Sequence, residues 1–280
     1  MTPSPKIFGL IGYPVKHSLS PLMHNAAFKA LNLDARYGLF ELKPQELENF
    51  LKSLSQKNIY GLNVTIPYKE QVIPFLDRLS AQAGLIGAVN TIRASQDKLE
   101  GFNTDGEGFL KHLTQDLGFS PEGKTVSLIG AGGAAKAVTV YLAKAGVKRV
   151  TIYDTQEEKL KDLLAHLKLN FKEIEFNQAH SIEGLNINNS DLLVNATSVG
   201  MKESDPLIVS EGQMHRGLLV YDLIYNPKET KLLKLAKEKG ALVSNGLGML
   251  LYQGMLSFEI WTGEIAPKEL MRKALEEKLC

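Results

Sequence analysis

Gly130-Ala131-Gly132-Gly133-Ala134-Ala135 is a G-x-G-x-x-A sequence between a short apolar run at 125–129 and an alanine- and valine-rich stretch at 134–145. The run predicts a buried parallel strand, and the stretch predicts a helix. In this setting Gly130 allows a tight turn, Gly132 lets the backbone approach a pyrophosphate, and Gly133 with Ala134 keeps helix and strand close. The sequence therefore predicts a dinucleotide-binding turn, rather than a βα turn that needs glycine only for its dihedral angles.

The position of this turn predicts a second domain, because nearly half of the 280-residue chain precedes it. Apolar runs alternate with amphipathic stretches on both sides, which indicates an α/β fold with mostly parallel sheets. Before the turn we predict strands at 7–11, 37–40, 61–65, 88–93 and 99–102 and helices at 21–31, 45–57 and 105–117. After it we predict strands at 149–153, 191–195, 218–222 and 241–243 and helices at 156–167, 228–239, 249–261 and 268–279.

Composition and charge narrow the class of partner. The formal net charge of +1 offers no field that attracts nucleic acid or an anionic membrane, so we expect a small-molecule partner. The first residues lack the apolar core of a signal peptide, which predicts a cytoplasmic protein. The single cysteine, Cys280, excludes an intrachain disulfide, and we expect its thiol to be exposed and without function. The six histidines lack metal-ligand spacing, so no metal is expected.

Polar side chains cluster where the predicted strands of the first half end, the edge at which open α/β sheets bind ligands. They are Asn63, Thr65, Lys69, Asn90, Thr91, Asn103, Thr104 and Asp105. Each taken singly is explained by turn or capping chemistry, but together they predict a site. A lysine facing an aspartate is suited to moving a proton. Ser18 and Ser20, in the turn after the first strand, are suited to a substrate carboxylate, and Ser20-Pro21 predicts a helix N-cap.

With these motifs assembled, the chain resembles shikimate dehydrogenases, the shikimate/quinate dehydrogenase family, from Ile7 almost to the C-terminus. The segments that carry the resemblance are IFGLIGYP (7–14), SLSP (18–21), NVTIPYK (63–69), GAVNT (87–91), GFNTDG (101–106), NATS (195–198), YDLIY (221–225) and NGLGML (245–250). The resemblance implies reversible, NADP-dependent reduction of 3-dehydroshikimate to shikimate in aromatic amino-acid biosynthesis, the pathway to chorismate. It further implies a substrate-binding α/β domain at 1–105 and 243–280, a Rossmann domain at 106–242, and an active-site cleft between them.

The resemblance also assigns residues. It implies that Lys69 exchanges a proton with the substrate oxygen and that Asp105 orients the lysine. The residues assigned to the substrate are Ser18, Ser20, Thr65, Asn90, Asp105, Tyr225 and Gln253. The residues assigned to the dinucleotide are Gly130, Ala131, Gly132, Gly133, Ala134, Asp154, Thr155, Thr197, Leu223 and Gly246. The implied assembly is a monomer or a homodimer.

One segment departs from the family pattern. NADP-using members carry Asn-Arg-Thr after the second Rossmann strand, and this chain has Asp154-Thr155 without the arginine. An acid at this spacing from the turn accepts hydrogen bonds from an unphosphorylated ribose and repels a 2′-phosphate. We therefore expect NAD to be used at least as readily as NADP. Asp154 also suits a cap of the following helix, and Lys159 is near enough in sequence to meet a phosphate instead.

Two other functions remain open at this point. A quinate or dual quinate/shikimate dehydrogenase would use the same lysine–aspartate pair, and the missing arginine favours it, whereas Ser18 with Ser20 favours the shikimate type. The more remote alternative is a non-catalytic dinucleotide sensor, against which the intact Lys69 and Asp105 argue.

Overall fold

A computed structural model describes residues 4–95 and 98–279; Cys280, predicted to be exposed and functionless, lies outside that range. The chain divides into two compact units, Met1–Gly108 with Leu250–Cys280, and Phe109–Met249. The sequence-based division assigns residues 243–249 to the substrate domain, whereas here they belong to the second unit. Which residues fold independently stays a prediction. No helix of the described residues is long and apolar enough to cross a membrane.

The first unit is a six-stranded mixed sheet with helices from both ends of the chain. Its elements are β1 (Lys6–Gly12), α1 (Ser20–Ala30), β2 (Ala35–Glu41), α2 (Leu47–Lys52), β3 (Ile59–Val64), β4 (Arg78–Leu79), α3 (Ala81–Ile86), β5 (Thr91–Ser95), β6 (Lys98–Phe102), α4 (Asp105–Lys111, which continues into the second unit), α8 (Leu247–Thr262, which begins there) and α9 (Lys268–Leu279). The strand order is β2-β1-β3-β5-β6-β4, with only β5 antiparallel to its neighbours.

The orientation of β5 corrects one sequence expectation. The predicted strand at 88–93 places Asn90 and Thr91 at its carboxyl end, but the strand begins at Thr91, because buried Ala88 and Val89 belong to the preceding link. Since β5 runs antiparallel, Thr91 pairs with Asn63 of β3 and with Phe102 of β6. The start of β5 thus lies beside the ends of both neighbouring strands, and the polar residues still share one edge.

The second unit is a six-stranded, all-parallel sheet of the Rossmann type. Its elements are β7 (Thr125–Ile129), α5 (Gly133–Lys144), β8 (Arg149–Tyr153), α6 (Glu157–Asn170), β9 (Glu175–Gln178), β10 (Leu192–Asn195), β11 (Leu219–Asp222), α7 (Lys231–Glu238) and β12 (Leu242–Ser244). The strand order β12-β11-β10-β7-β8-β9 places β7, which leads into the glycine-rich turn, at the centre. Leu192, Leu193 and Val194 of β10 are buried, as expected for a parallel strand covered on both faces.

Several predicted elements differ in the structure. The helix expected at 45–57 is divided into α2 and two flanking 3-10 turns. The helix expected at 105–117 changes after Lys111 into a π-helical turn, His112–Asp116. Strands β4 and β9 and helix α3 were not predicted, because each is too short to establish a hydrophobic period.

His24 is an unusual member of the core of the first unit. It is fully buried on α1, its ring stacks on Tyr37 at 4.4 Å between centroids, and neither ring nitrogen has a hydrogen-bond partner among the described residues. Burial without a partner disfavours the charged ring and lowers the pKa of His24 from 6.5 to about 3. His24 is therefore a neutral core residue at physiological pH.

Candidate active site

Lys69 and Asp105 meet at the carboxyl edge of the first sheet. Lys69 follows β3 after a turn, and Asp105 is the first residue of α4, directly after β6. Lys69 Nζ forms an ion pair with Asp105 Oδ2, and the side chains are only 15% and 6% exposed. The backbone reinforces this placement, because Val89 N–H donates to the carbonyl of Lys69 at 2.7 Å and Asp105 N–H donates to Asn103 Oδ1 at 3.1 Å. A proton-carrying amine is thus held against a carboxylate with little access to solvent.

Asn90 connects this pair to the rest of the site. Its Oδ1 accepts from Thr104 N–H at 2.8 Å and from the Thr91 hydroxyl at 3.0 Å, which orients the amide. Its Nδ2 then donates to Asp105 Oδ1 at 2.9 Å and lies 3.3 Å from Gln253 Oε1. Each carboxylate oxygen of Asp105 therefore has its own donor, Lys69 on one side and Asn90 on the other.

Gln253 brings helix α8, from the other end of the chain, to the same edge. Its Nε2 donates to the carbonyl of Leu250 at 2.8 Å, while its Oε1 faces Asn90. The close approach of α4 to α8 requires Gly108, since a Cβ there would lie 2.6 Å from the main-chain nitrogen of Gln253. Four of the predicted residues, Lys69, Asn90, Asp105 and Gln253, thus form one hydrogen-bonded cluster.

Ser18 and Ser20 lie in the segment that follows β1, the neighbour of β3 in the sheet. The Ser18 hydroxyl donates to Ser20 Oγ at 3.2 Å and accepts from Ser20 N–H at the same distance. The prediction that Ser20 is the N-cap of α1 is wrong: Leu19 occupies that position, and Ser20 begins the helix before Pro21. A residue inside the first turn leaves its hydroxyl unused for capping. Thr65, which directly follows β3, is half-buried.

The glycine-rich turn joins β7 to α5 in the second unit. Gly130 has a φ of +116°, and its N–H donates to the carbonyl of Tyr153 at 2.8 Å. Gly132 is the N-cap of α5, with open space where a Cβ would stand. Gly133 and Ala134 begin the helix, whose first turn has N–H groups without intrahelical acceptors. A space beside these groups suits the phosphates of a dinucleotide.

Asp154 contacts this turn directly. It follows β8, and its Oδ2 accepts from the N–H of Ala131 at 2.7 Å, while its Oδ1 accepts from the N–H of Gln156 at 2.7 Å. The N-cap of α6 is Gln156, so Asp154 supports the chain before the helix instead of capping it. Thr155 is exposed. The carboxylate thus lies against the glycine-rich turn.

The remaining predicted dinucleotide residues follow β10, β11 and β12. Asn195 Oδ1 accepts from the N–H of Thr197 at 3.1 Å and from its hydroxyl at 2.8 Å. Leu223 and Gly246 are adjacent, since a Cβ on Gly246 would overlap the carbonyl of Leu223. Tyr225, predicted to bind substrate, is half-buried in the segment after β11 and so belongs to the second unit.

Two buried residues behind this segment were not predicted as site residues. Asp222 accepts from the Thr230 hydroxyl at 2.7 Å, from Asn195 Nδ2 at 3.0 Å and from Ile224 N–H at 3.1 Å. Burial raises the pKa of Asp222 to about 6. Asn195 and Asp222 together hold the segments of Thr197 and Leu223. The sequence could have indicated both residues, because each ends a strand and each lies in a segment that carries the family resemblance, NATS (195–198) or YDLIY (221–225).

Metal-ligating side chains do not converge in the described ranges: no three His, Cys, Asp or Glu residues there are arranged to hold an ion.

Comparison with known proteins gives the same family over almost the whole chain. Residues 10–92 match the shikimate dehydrogenase substrate binding domain, residues 112–223 match shikimate / quinate 5-dehydrogenase, and residues 246–276 match the shikimate 5'-dehydrogenase C-terminal domain. A shikimate dehydrogenase (NADP(+)) of Methanopyrus kandleri is 47% identical over 98% of this chain and 96% of its own length.

Solved structures agree. A shikimate dehydrogenase in complex with NADP+ superposes with a TM-score of 0.91 at 39% identity, covering 99% of this chain and 96% of that one. Shikimate 5-dehydrogenase from Listeria monocytogenes, in complex with shikimate and NAD, has a TM-score of 0.88 at 36% identity, with 98% of each chain covered. The chain belongs to the shikimate dehydrogenase family.

Proposed function

We propose that this chain is a shikimate dehydrogenase, an oxidoreductase that reversibly reduces 3-dehydroshikimate to shikimate with a nicotinamide dinucleotide, in the pathway to chorismate and the aromatic amino acids. The observation that carries the proposal is the buried ion pair of Lys69 and Asp105, within a family identified over nearly the full chain. We assign substrate binding to the domain at 1–105 and 243–280 and dinucleotide binding to the domain at 106–242.

Lys69 is the proposed acid and base. When the ketone is reduced, the Lys69 ammonium gives a proton to the oxygen that becomes the hydroxyl, and in the oxidation it takes that proton back. Asp105 holds the ammonium through Oδ2, and Asn90 holds Asp105 through Oδ1, so the amine needs little reorganisation. When bound, the dinucleotide supplies or accepts the hydride at the substrate carbon that carries this oxygen.

The substrate carboxylate binds at Ser18 and Ser20, whose hydroxyls adjoin each other. Thr65, Asn90, Asp105 and Gln253 recognise the ring hydroxyls, and Tyr225 adds a contact from the segment after β11. The hydrogen bonds of Asn90 to Asp105 and to Gln253 support this assignment, because they gather donors and acceptors that can pair with hydroxyl groups.

The dinucleotide binds at the glycine-rich turn, where open space beside Gly132 and the start of α5 fit a pyrophosphate. Thr197, Leu223 and Gly246 contact the nicotinamide half. For the adenosine half, we propose that NAD serves at least as well as NADP. Asp154 lies beside the turn, and the first turn of α6 adds two more carboxylates, Glu157 and Glu158. Lys161 is paired with Glu157 at 3.5 Å, so the positive charge of this lysine is offset by a carboxylate.

Initial rates of shikimate oxidation with NAD and with NADP test this proposal. We expect turnover with both and a kcat/KM for NAD equal to or above that for NADP. A strong NADP preference would contradict the cofactor assignment and leave the reaction intact. Failure to oxidise shikimate with either dinucleotide would contradict the reaction itself and favour a dinucleotide sensor.

Quinate is the second candidate substrate, because the family description that matches residues 112–223 covers shikimate and quinate dehydrogenases alike. We expect kcat/KM for shikimate to exceed that for quinate, and dominant quinate turnover would reverse the assignment. We propose that the enzyme is cytoplasmic. We propose further that it is a monomer or a homodimer, and a native mass measurement distinguishes these two states.

A further inference from the structure

Ser257 lies one helical turn beyond Gln253 on α8 and is fully buried. Its hydroxyl is 2.7 Å from Thr91 Oγ1, 2.9 Å from Asn63 Nδ2 and 3.2 Å from Thr104 Oγ1. These three partners belong to the end of β3, the start of β5 and the link between β6 and α4. A single hydroxyl therefore connects α8 to each of the segments that carry Lys69, Asn90 and Asp105.

The hydrogen bonds around Ser257 have a defined direction. The Tyr37 hydroxyl donates to Asn63 Oδ1 at 2.8 Å, which leaves Asn63 Nδ2 to donate to Ser257 Oγ. The Ser257 hydroxyl has one hydrogen and two acceptors within reach, Thr91 Oγ1 at 2.7 Å and the carbonyl of Gln253 at 2.9 Å. Because the Thr91 hydrogen goes to Asn90, Ser257 is the donor in its contact with Thr91. The Thr91 hydroxyl then donates to Asn90 Oδ1. The order of donors ends at the amide of Asn90, which faces both Asp105 and Gln253.

The hydroxyl is not needed for the helix itself. Serine inside a helix is less favourable than alanine, and a bond from its hydroxyl to the carbonyl four residues earlier slightly destabilises and bends a helix. The contacts that offset this lower helix propensity of serine are the ones to residues outside the helix, Asn63, Thr91 and Thr104.

We propose that Ser257 is a positioning residue for the substrate: it keeps the amide of Gln253, on α8, in register with the amide of Asn90, before β5. This inference rests on the proposed function, because both amides are assigned to the ring hydroxyls. Ser257 touches neither Lys69 nor Asp105 in the hydrogen bonds described above. Its loss is therefore expected to change substrate affinity more than turnover.

Steady-state kinetics of Ser257→Ala test the proposal. Loss of one net hydrogen bond corresponds to roughly a threefold to tenfold rise in KM for shikimate. We expect kcat and the KM for the dinucleotide to stay within about twofold. The reason is that Ser257, in the hydrogen bonds described above, contacts neither the proposed catalytic pair, Lys69 and Asp105, nor the glycine-rich turn. Ser127→Ala is the matched control: Ser127 is also fully buried and hydrogen-bonded, to the carbonyl of Leu185 and to Ser190, but it lies in β7. Its KM for shikimate is expected to equal that of the wild type.

A double-mutant cycle separates positioning from general stability. In a Gln253→Ala background, Ser257→Ala is expected to raise the KM for shikimate less than it does in the wild type, because the amide that it positions is gone. Equal factors in both backgrounds would overturn the proposal, as would an unchanged KM in the single variant.

Should Ser257→Ala fail to fold, Ser257→Cys keeps the shape with a weaker donor and acceptor. An elevated KM in this variant supports the proposal, and a wild-type KM overturns it. A wild-type protein that does not turn over shikimate overturns the proposed function and this inference with it. Wild-type turnover with an unchanged KM in the variants overturns only the inference.

Discussion

Lys69 and Asp105 form a buried ion pair in which Nζ of the lysine contacts Oδ2 of the carboxylate. The second oxygen of Asp105 accepts a hydrogen bond from Asn90, so the Asp105 carboxylate is held from both sides. A lysine held in this way has one defined position from which to give or take a proton, which is the requirement of an acid–base catalyst.

Replacing Lys69 with alanine is expected to lower kcat for shikimate oxidation by roughly 10²- to 10⁴-fold, the usual contribution of a general acid or base. The KM for shikimate changes little, because the carboxylate and hydroxyl contacts remain. Lys52→Ala, which removes an exposed lysine paired with Glu48, is the control and keeps wild-type kinetics. A kcat of Lys69→Ala close to wild type would remove the lysine from the chemistry.

Replacing Ser18 or Ser20 with alanine is expected to raise the KM for shikimate about tenfold, because a hydrogen bond to a carboxylate is stronger than one between neutral groups. The same substitutions should have less effect on the methyl ester of shikimate, whose carboxyl group is uncharged. Ser53→Ala, at a serine bonded to the carbonyl of Phe50, serves as the control. An equal rise in KM for shikimate and for its methyl ester would show that the serines do not recognise the charge of the carboxylate.

Replacing Asp154 with asparagine is expected to raise kcat/KM for NADP relative to NAD by about tenfold, since a charge near the 2′-phosphate is removed. The asparagine still accepts one hydrogen bond from Ala131 or Gln156, so the turn keeps its form. Asp162→Asn removes the same charge from an exposed position on α6 and should leave the ratio unchanged. An unaltered ratio in Asp154→Asn would mean that Asp154 does not select the dinucleotide.

His24 predicts how stability depends on pH. Its pKa is about 3 in the folded protein and 6.5 as an ordinary histidine, so the unfolded chain binds more protons between these values. Acidification from pH 6.5 towards 3 therefore lowers the free energy of unfolding, with a slope from this group of at most about 1.4 kcal/mol per pH unit. Above pH 6.5 the group has no effect.

Urea denaturation between pH 7.5 and 4.5 measures this slope. His24→Phe, which removes the titrating ring from an aromatic cluster, should make the free energy of unfolding less dependent on pH over this range. His17→Phe, at an exposed histidine, should retain the wild-type slope. Asp222 contributes in the opposite direction as pH rises from 3.8 to about 6, so the comparison of variants is more informative than the wild-type profile alone. Identical slopes for His24→Phe and wild type would contradict the lowered pKa.

Much of the second unit follows from local sequence. The strand before the glycine-rich turn and the strand at 149–153 have the predicted bounds. Both are rich in β-branched residues, which favour a strand from local sequence alone. The first unit was less predictable. Ala88 and Val89 are as buried as strand residues but belong to a link, and β4 contains only Arg78 and Leu79, too few residues for any period.

The sequence by itself determined the class of fold, the family, and the residue types of the proposed catalytic pair, because motifs such as NVTIPYK and GFNTDG are contiguous and can be recognised without the tertiary structure. Only the tertiary structure decided that Asn90 donates to Asp105, and that Ser257 bonds to Asn63 and Thr91. The physical reason is separation along the chain: Ser257 is 194 residues from Asn63, and a hydrogen bond over that distance depends on how the strands pair and where α8 returns. The position of Ser257 one turn beyond Gln253 was visible in the sequence, but what its hydroxyl meets was not.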